Sequence, residues 1–212
     1  KDLIDKAIID AAKGELDTND INQNYQKIDE IPFDFKRRRM SVVVMNKKHE
    51  HLLVTKGAAE EMLACSNRLE INGEIRILNQ EQRHEILNKI NQMNQDGLRV
   101  VLLAYKKNPA PVGEFSVDDE KELILTGFLA FLDPPKDSAK AALTALKRDG
   151  ITVKILTGDN EAVTRNVGKQ VGLDINCVYQ GKDLENKSSA ELKKMVEECD
   201  VFVKLSPQQK AQ

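Results

Sequence analysis

The sequence predicts an α/β fold in two parts: an α+β part with an antiparallel sheet and flanking helices, then a part with an incomplete parallel sheet. Up to residue 121, short β-branched segments separated by tight turns alternate with helical patterns, which is typical of hairpins packed against helices. From residue 122 onward, single strands and helices alternate, which is typical of right-handed βαβ crossovers. We therefore expect one domain at residues 1–121 and a second, partial domain at residues 122–212.

The first part begins with a predicted helix, because apolar residues recur at helical spacing from Leu3 to Ala11. A polar loop is expected next, leading to the segment around Phe33. Ser41–Met45 and Leu52–Thr55 are β-branched segments with a short polar turn between them. They are therefore predicted to pair as antiparallel strands.

A hairpin, a helix and a further strand complete the first part. Arg68–Leu78 contains an Asn-Gly dipeptide, which suits the positive-φ positions of a type I′ turn. Asn79 is placed to begin a helix, with Gln82 in the position of a capping box, and Gly97 is placed to end it. A strand is predicted at Leu98–Tyr105, and a loop rich in proline and acidic residues follows it.

Alternating strands and helices make up the second part. The predicted strands are Leu123–Leu132, Thr152–Leu156 and Val201–Lys204, and the predicted helices are Ser138–Lys147, Asn160–Val171 and Ser188–Glu198. Glycines stand at the ends of the first two helices, where a left-handed residue commonly closes a helix. The alternation predicts a parallel sheet that lacks its first strand and its final ones.

The composition indicates an ordinary globular chain. Its 212 residues are 41% hydrophobic, enough for one large or two modest cores. The net charge of -2 does not favour binding to nucleic acid or to an anionic membrane surface. The longest apolar run, Leu123–Leu132, is about half the length that a membrane-spanning helix requires. Both ends are expected to be cut from a longer chain.

The cysteines and histidines indicate no metal site. Cys65, Cys177 and Cys199 are widely spaced and form no C-x-x-C pair, so we expect reduced thiols that pack as small apolar side chains. Two of the histidines alternate along a predicted strand edge, and the third has no partner one helical turn away. The sequence predicts no metal held by the protein itself.

The tripeptide Thr157-Gly158-Asp159 is the strongest chemical signal in the chain. It ends a predicted parallel strand and precedes a helix whose N-terminal amides attract anions. A hydroxyl, a glycine backbone and a carboxylate at such a strand end suit a phosphoryl group and its Mg²⁺. An ordinary turn with the threonine or the aspartate as helix N-cap is the alternative.

Two further motifs follow predicted strands. Asp133-Pro134-Pro135-Lys136 is a stiff turn, because its prolines fix φ and remove backbone donors, and it would aim Asp133 rigidly. Lys210 follows the last predicted strand, where an ammonium group would neutralise charge on a phosphoryl oxygen. A helix-entry turn and a surface lysine are the respective alternatives.

In the first part, an aromatic residue precedes a basic run. Phe33 could stack on a purine face while Arg38 and its neighbours approach phosphates, and Phe35 on the same strand face is an alternative stacking residue. A core phenylalanine beside a solvated basic surface would give the same pattern. Lys56 and Gly57 follow a strand, so the lysine emerges at its end and the glycine allows close approach of a ligand.

Together these motifs resemble the cytoplasmic headpiece of P-type cation-transporting ATPases along essentially the whole chain. Residues 31–44, Ile-Pro-Phe-Asp-Phe-Lys-Arg-Arg-Arg-Met-Ser-Val-Val-Val, are most similar to the bacterial magnesium-importing branch. The resemblance implies that residues 1–121 form a nucleotide-binding domain. It implies that residues 122–212 form the distal part of a phosphorylation domain with a haloacid-dehalogenase-like (Rossmannoid) fold.

The resemblance also implies roles for individual residues. The residues implied in catalysis are Thr157, Gly158, Asp159 and Lys210, and those implied in nucleotide binding are Asp5, Phe33, Arg38, Lys56, Gly57, Arg99 and Asp133. Phe33 would stack on adenine and Lys56 would line the floor of the adenine pocket. Asp159 would help to organise the phosphoryl group and the metal. The family's proline after Gly-Ala is replaced here by Ala59, so a slightly different turn is expected.

The family's nucleophilic string Asp-Lys-Thr-Gly-Thr and its Gly-Asp-Gly element do not occur in these residues. We therefore expect this segment to bind ATP, with Mg²⁺ arriving on the nucleotide, but to form no phosphoenzyme. The implied parent lies in the plasma membrane with this segment on the cytoplasmic side. It would form an aspartyl-phosphate from ATP and transport a cation, expected to be Mg²⁺, through membrane helices outside this sequence.

Two other functions fit part of the pattern. One is a soluble haloacid-dehalogenase-like phosphatase of small phosphoesters, which would need its nucleophilic aspartate inside the chain, so the sequence upstream of the first residue would distinguish it. The other is a non-catalytic interaction module in which the basic cluster at residues 36–39 binds an acidic protein.

Overall fold

The structure is a computed structural model that describes residues 3–12, 18–109, 115–132 and 134–211. It confirms the predicted α/β class, with a large, mostly antiparallel sheet and flanking helices. The chain divides into two units, residues 1–88 with 100–131 and residues 89–99 with 132–212. None of the helices in the described ranges is both long enough and apolar enough to cross a membrane.

A seven-stranded sheet organises the first unit, in the order β1-β2-β3-β6-β7-β4-β5. The strands are β1 (Tyr25–Asp34), β2 (Arg39–Asn46), β3 (His51–Gly57), β4 (Ser66–Ile71), β5 (Glu74–Ile77), β6 (Leu98–Lys107) and β7 (Leu123–Leu132). The helices are α1 (Leu3–Ala11), α2 (Thr18–Asn24), α3 (Ala59–Cys65) and α4 (Gln80–Gln95). Residues 89–95 of α4 and residues 98–99 of β6 belong to the second unit. The predicted pairing of β2 with β3 is confirmed, and α2 occupies part of the predicted polar loop.

Local turn and cap signals predicted the middle of this unit correctly. Asn72 and Gly73 have φ of 51° and 82°, so the hairpin between β4 and β5 turns as expected. The Asn79 N–H donates to Gln82 Oε1 at 3.1 Å and the Gln82 N–H donates to Asn79 Oδ1 at 2.9 Å. This reciprocal pair is the predicted capping box of α4.

The prediction that Leu123–Leu132 opens the parallel sheet of the second part is wrong. This segment is β7, and it pairs in parallel with β4 inside the large sheet. Its first three residues, 123 to 125, are buried there. An apolar run predicts a strand but not which strand lies beside it, and the prediction failed for this reason. The domain boundary at residue 121 stays a prediction.

One face of the large sheet is buried by alternate residues of three neighbouring strands. Val43 of β2, Leu53 of β3 and Ala104 of β6 are completely buried. Ser41 and Thr55 lie on the same two strands, two residues from Val43 and Leu53, and are also buried. A polar pair within an apolar layer is costly unless it is hydrogen-bonded, so its partners matter for the site described below.

A three-stranded parallel sheet, ordered β8-β10-β9, lies in the second unit. The elements are β8 (Ile155–Leu156), β9 (Tyr179–Gln180), β10 (Val201–Val203), α5 (Asp137–Arg148), α6 (Glu161–Val171), α7 (Ser189–Glu198) and α8 (Pro207–Lys210). Three helices and the parallel arrangement were predicted. β8 is shorter than predicted, whereas β9 and α8 were not predicted at all.

The cysteines differ from the prediction of three reduced thiols. Cys177 and Cys199 are joined in a disulfide with their Cα atoms 5.4 Å apart, and Cys65 is a free thiol. The expectation is therefore wrong for the first two. The pair is separated by 22 positions in sequence, and only the packing of β9 against β10 brings the two cysteines together, so spacing alone could not reveal it.

Candidate functional site

The first candidate site is built around the turn between β1 and β2. Phe33 lies in β1 and Phe35 lies just beyond its end. Their rings meet edge to face with centroids 5.2 Å apart, and they are 50% and 57% exposed. They are therefore not core residues, and both could stack on a planar ligand. The choice between them stays open.

Asp34 shapes this turn through its side chain. Its Oδ1 accepts the N–H groups of Lys36 at 2.9 Å and of Arg37 at 2.8 Å, and its carbonyl accepts the Arg38 N–H at 2.7 Å. The hydrogen bond from the Arg37 N–H is the main reason why the pKa of Asp34 lies below its ordinary value. Arg38 has a left-handed φ of 47°, so its backbone position depends on the turn around it.

The three arginines of the turn do not all pair with the same carboxylate. Arg37 and Arg39 both donate to the carboxylate of Glu120, the latter through Nε at 2.8 Å. The Glu120 side chain is completely buried, so these ion pairs compensate a charge that would otherwise be costly. Arg38 instead lies 3.7 Å from the carboxylate of Glu61. The basic run is thus not a uniform patch of solvated cations.

Two predicted nucleotide-binding residues form an ion pair. Lys56, near the end of β3, lies with Nζ 2.5 Å from the Oδ1 of Asp5 in α1. The lysine side chain is 23% exposed and that of the aspartate is 42% exposed. The structure therefore brings this pair together, and the lysine ammonium group is already partly neutralised.

The end of β3 contacts the aromatic turn directly. The Ala58 N–H donates to the carbonyl of Arg38 at 3.0 Å. A Cβ placed on Gly57 would lie 2.5 Å from the Cβ of Arg39 and 2.8 Å from the carbonyl oxygen of Arg38. Glycine is therefore required here by the neighbouring turn. The Lys-Gly-Ala motif and the turn that follows the aromatic residues are therefore in direct contact within the first unit.

The second candidate site is the loop after β8. The Thr157 N–H donates to the Phe202 carbonyl at 2.9 Å, and the Thr157 carbonyl accepts the Leu205 N–H at 3.0 Å. The carbonyl of Asp159 accepts the Lys204 N–H at 2.8 Å. The loop is thus fixed at the end of the parallel sheet beside the segment that leaves β10.

Side-chain hydrogen bonds close this loop on itself. Thr157 Oγ1 donates to Asp159 Oδ2 at 3.0 Å and accepts the Asp159 N–H at 3.1 Å. The N-cap of α6 is Asn160, whose Oδ1 accepts the Val163 N–H. The alternative in which Thr157 or Asp159 caps the helix is therefore wrong, and both side chains face each other instead.

Two of the remaining predicted residues, Arg99 and Lys210, lie in the described part of the chain. Arg99 pairs with Asp159 at 2.6 Å, inside the second unit. Lys210 is exposed in the last turn of α8, whose N-cap Ser206 exchanges hydrogen bonds with Gln209. Asp133 lies outside the described residues. The buried Glu120 was not predicted, because it lies in an acidic stretch that has the composition of a loop.

Comparisons with known proteins bear on the whole chain. The family described as "P-type ATPase, cytoplasmic domain N" matches residues 1–138. A magnesium-transporting ATPase, P-type 1, of Escherichia coli strain K12 is 45% identical over 99% of this chain and 23% of its own length. A protein of the same description from Salmonella typhimurium strain LT2 is 43% identical with the same coverage.

A more distant relative has a different cation in its name. A calcium-transporting ATPase of Listeria monocytogenes is 30% identical over 93% of this chain. The chain spans about 23% of the length of these relatives. Since the family match covers well over half of the 212 residues, the chain belongs to the P-type ATPase family, matching its cytoplasmic domain N over residues 1–138.

Proposed function

We propose that the chain is the ATP-binding cytoplasmic portion of a P-type ATPase and that the first unit holds the nucleotide. The observation that carries this proposal is the contact between the aromatic turn and the end of β3, through the Ala58 N–H and the Arg38 carbonyl. It joins the segment that carries an exposed aromatic pair and an arginine to the segment that carries Lys56 and Gly57. These are the groups that a base and its phosphates require.

Adenine stacks on Phe33, or on its neighbour Phe35, and Lys56 lines the pocket beside it. Arg38 approaches the phosphates, because its 3.7 Å ion pair with Glu61 is longer than the ion pairs by which the buried Glu120 holds the other two arginines. Base stacking contributes about 1–3 kcal/mol and few phosphate contacts add to it. We therefore expect a dissociation constant for ATP on the order of 0.1 to 1 mM.

In this proposal the loop after β8 binds the phosphoryl group. A Cβ on Gly158 would meet the Leu205 carbonyl oxygen at 3.5 Å, an ordinary contact, so packing alone does not explain the glycine. Close approach of a phosphoryl oxygen to the backbone does explain it. Thr157 offers a hydroxyl at the same place, and Lys210 contributes a cation.

The described residues do not fit a Mg²⁺ ion held by the protein alone. The Asp159 carboxylate already accepts from Arg99 and from Thr157. The described ranges also contain no group of three or more His, Cys, Asp or Glu side chains placed to bind a metal. In this proposal Mg²⁺ therefore arrives on the triphosphate.

The activity of a whole protein is proposed from the relatives. The phosphorylated aspartate would lie in the part of such a protein that this chain does not cover, since Asp-Lys-Thr-Gly-Thr does not occur here. That protein would couple ATP hydrolysis, through the aspartyl-phosphate, to cation transport across the plasma membrane. Mg²⁺ is the proposed cation, because the magnesium-transporting relatives are more similar to the chain than the calcium-transporting one.

Titration with MgATP followed by amide NMR tests the proposal. We expect the amides of residues 33, 38 and 57 to shift with a common dissociation constant on the order of 0.1 to 1 mM. Unchanged amides in the aromatic turn and at the end of β3 would contradict it. An acidic peptide serves as the control. Saturable binding of that peptide without any response to MgATP would favour the interaction-module alternative.

A further inference from the structure

The carboxylate of Glu120 is the centre of a buried polar network. Its Oε2 accepts from Arg37 and from Arg39, and its Oε1 accepts from the Ser41 hydroxyl at 2.7 Å. Ser41 shares a further hydrogen bond of 2.9 Å with Thr55. The Glu120 side chain is 0% exposed, whereas the two arginine side chains are 20% and 17% exposed. Every partner lies on β2, on β3 or in the turn before β2.

This network is attached to the turn that carries the candidate nucleotide-binding groups. The two arginines held by Glu120 immediately flank Arg38, whose N–H donates to the Asp34 carbonyl at 2.7 Å. The Arg38 carbonyl accepts the Ala58 N–H at 3.0 Å. With both neighbours anchored and φ at 47°, the Arg38 backbone is held from outside the turn, and its side chain lies 3.7 Å from the Glu61 carboxylate.

We propose that Glu120 is a positioning residue for the nucleotide site. It does not touch the nucleotide. By holding the arginines on either side of Arg38, it fixes the backbone from which that side chain reaches the phosphates, and it keeps the turn that carries the aromatic pair against the end of β3. The inference deepens the proposed function and rests on it, because the ligand is the same ATP.

Substitution of a neighbouring residue, Asp119, distinguishes a positioning role of Glu120 from a general effect on stability. Asp119 is also a buried carboxylate, 8% exposed, but its Oδ2 accepts the Ser116 N–H within a single turn of 3₁₀ helix, Val117–Asp119. Replacing it by asparagine changes the same kind of group one position away. It leaves the arginines and Ser41 untouched, so it controls for loss of a buried carboxylate.

The experiment compares Glu120→Gln with Asp119→Asn in the full chain. Glutamine keeps the size of the side chain but turns an amide N–H₂ toward guanidinium donors, or withdraws the acceptor from Ser41. Amide hydrogen exchange of Arg38 and Ala58 is measured without nucleotide, and ATP affinity is measured by calorimetry well below the melting temperature. We expect Glu120→Gln to lower both the protection of these amides and the affinity by about 10-fold or more, and Asp119→Asn to change either by less than about 2-fold.

A milder variant covers the case in which Glu120→Gln does not fold. Ser41→Ala removes one hydrogen bond to Glu120 and should lower protection at Arg38 and Ala58 by a smaller factor in the same direction. The positioning role is overturned if the folded variants bind ATP as the wild type does, or if Asp119→Asn loses as much affinity as Glu120→Gln. If the wild-type chain itself does not bind ATP, the proposed function fails, and the exchange data still show separately whether Glu120 supports the turn.

Discussion

The guanidinium group of Arg99 donates to the carboxylate of Asp159, with Nη2 2.6 Å from Oδ2. The family resemblance implies different roles for these residues, nucleotide binding for Arg99 and organisation of the phosphoryl group and the metal for Asp159. In the structure each neutralises the other, and the same Oδ2 also accepts from Thr157. A phosphoryl group that approaches this loop would therefore compete with the aspartate for the arginine.

The Arg99–Asp159 pair should contribute little to stability. The two side chains are 41% and 30% exposed, so solvent screens their attraction. We predict a coupling free energy below about 1 kcal/mol in a double-mutant cycle of Arg99→Gln and Asp159→Asn, measured by urea unfolding. The coupling should fall further at 1 M salt, where the Debye length is about 3 Å. A coupling above about 2 kcal/mol would show that the pair is a structural element of the fold.

Separate substitution of the two exposed phenylalanines shows which of them stacks on adenine. If Phe33 is the stacking residue, Phe33→Ala should weaken ATP binding roughly 5-fold to 150-fold, because stacking on an aromatic side chain is worth about 1–3 kcal/mol. Phe35→Ala then serves as the matched control and should have a smaller effect. Calorimetric titration of both variants with ATP measures the two losses of affinity. A larger loss in Phe35→Ala than in Phe33→Ala would show that Phe35 stacks on adenine.

Sequence patterns that span only a few residues predicted turns and helix ends correctly. The Asn72-Gly73 turn, the Asn79 capping box and the C-cap of α6 at Gly172 all lie where the sequence places them. Each depends on backbone conformation over at most four positions, so the sequence contains the complete information. Strand partners depend on distant segments. β7 was therefore recognised as a strand but assigned to the wrong sheet.

For the candidate site too, the sequence predicts local positions but not contacts between distant residues. Local patterns placed Lys56, Gly57 and Thr157 at strand ends, where the structure also has them, and their roles stay predictions. The partners that control their charge could not be located. Glu120 is distant from the arginines in sequence, and the Asp5–Lys56 pair joins α1 to β3. Such contacts follow from packing, which a single sequence does not display.

Protonation of Asp34 at low pH should weaken the hydrogen bonds that hold the turn after β1. The pKa of Asp34 is lowered from its ordinary value of 3.8, chiefly by the hydrogen bond from the Arg37 N–H. A carboxyl group with a depressed folded pKa contributes stability that is fully present above its unfolded pKa and is lost as pH falls through the folded value. We predict that the Asp34 carboxyl titrates below 3.8 in carbon-detected NMR and that the Lys36 and Arg37 amides shift with it. In Asp34→Asn this transition should be absent. A midpoint at or above 3.8 in the wild type would contradict the assignment.

Two glycines of the candidate sites should respond differently to the same substitution. Gly57→Ala places a methyl group 2.5 Å from the Cβ of Arg39 and 2.8 Å from the Arg38 carbonyl oxygen, so β3 or the turn must move. We predict a loss of about 1–3 kcal/mol in the free energy of unfolding, as is usual for overpacking. Gly158→Ala meets the Leu205 carbonyl oxygen at 3.5 Å and should change that free energy by no more than about 0.5 kcal/mol. Chemical denaturation of both variants measures this. Equal losses would mean that packing also requires glycine at position 158, and one argument for phosphoryl contact there would be lost. If Gly158→Ala is as stable as the wild type, ligand approach remains the reason for the glycine.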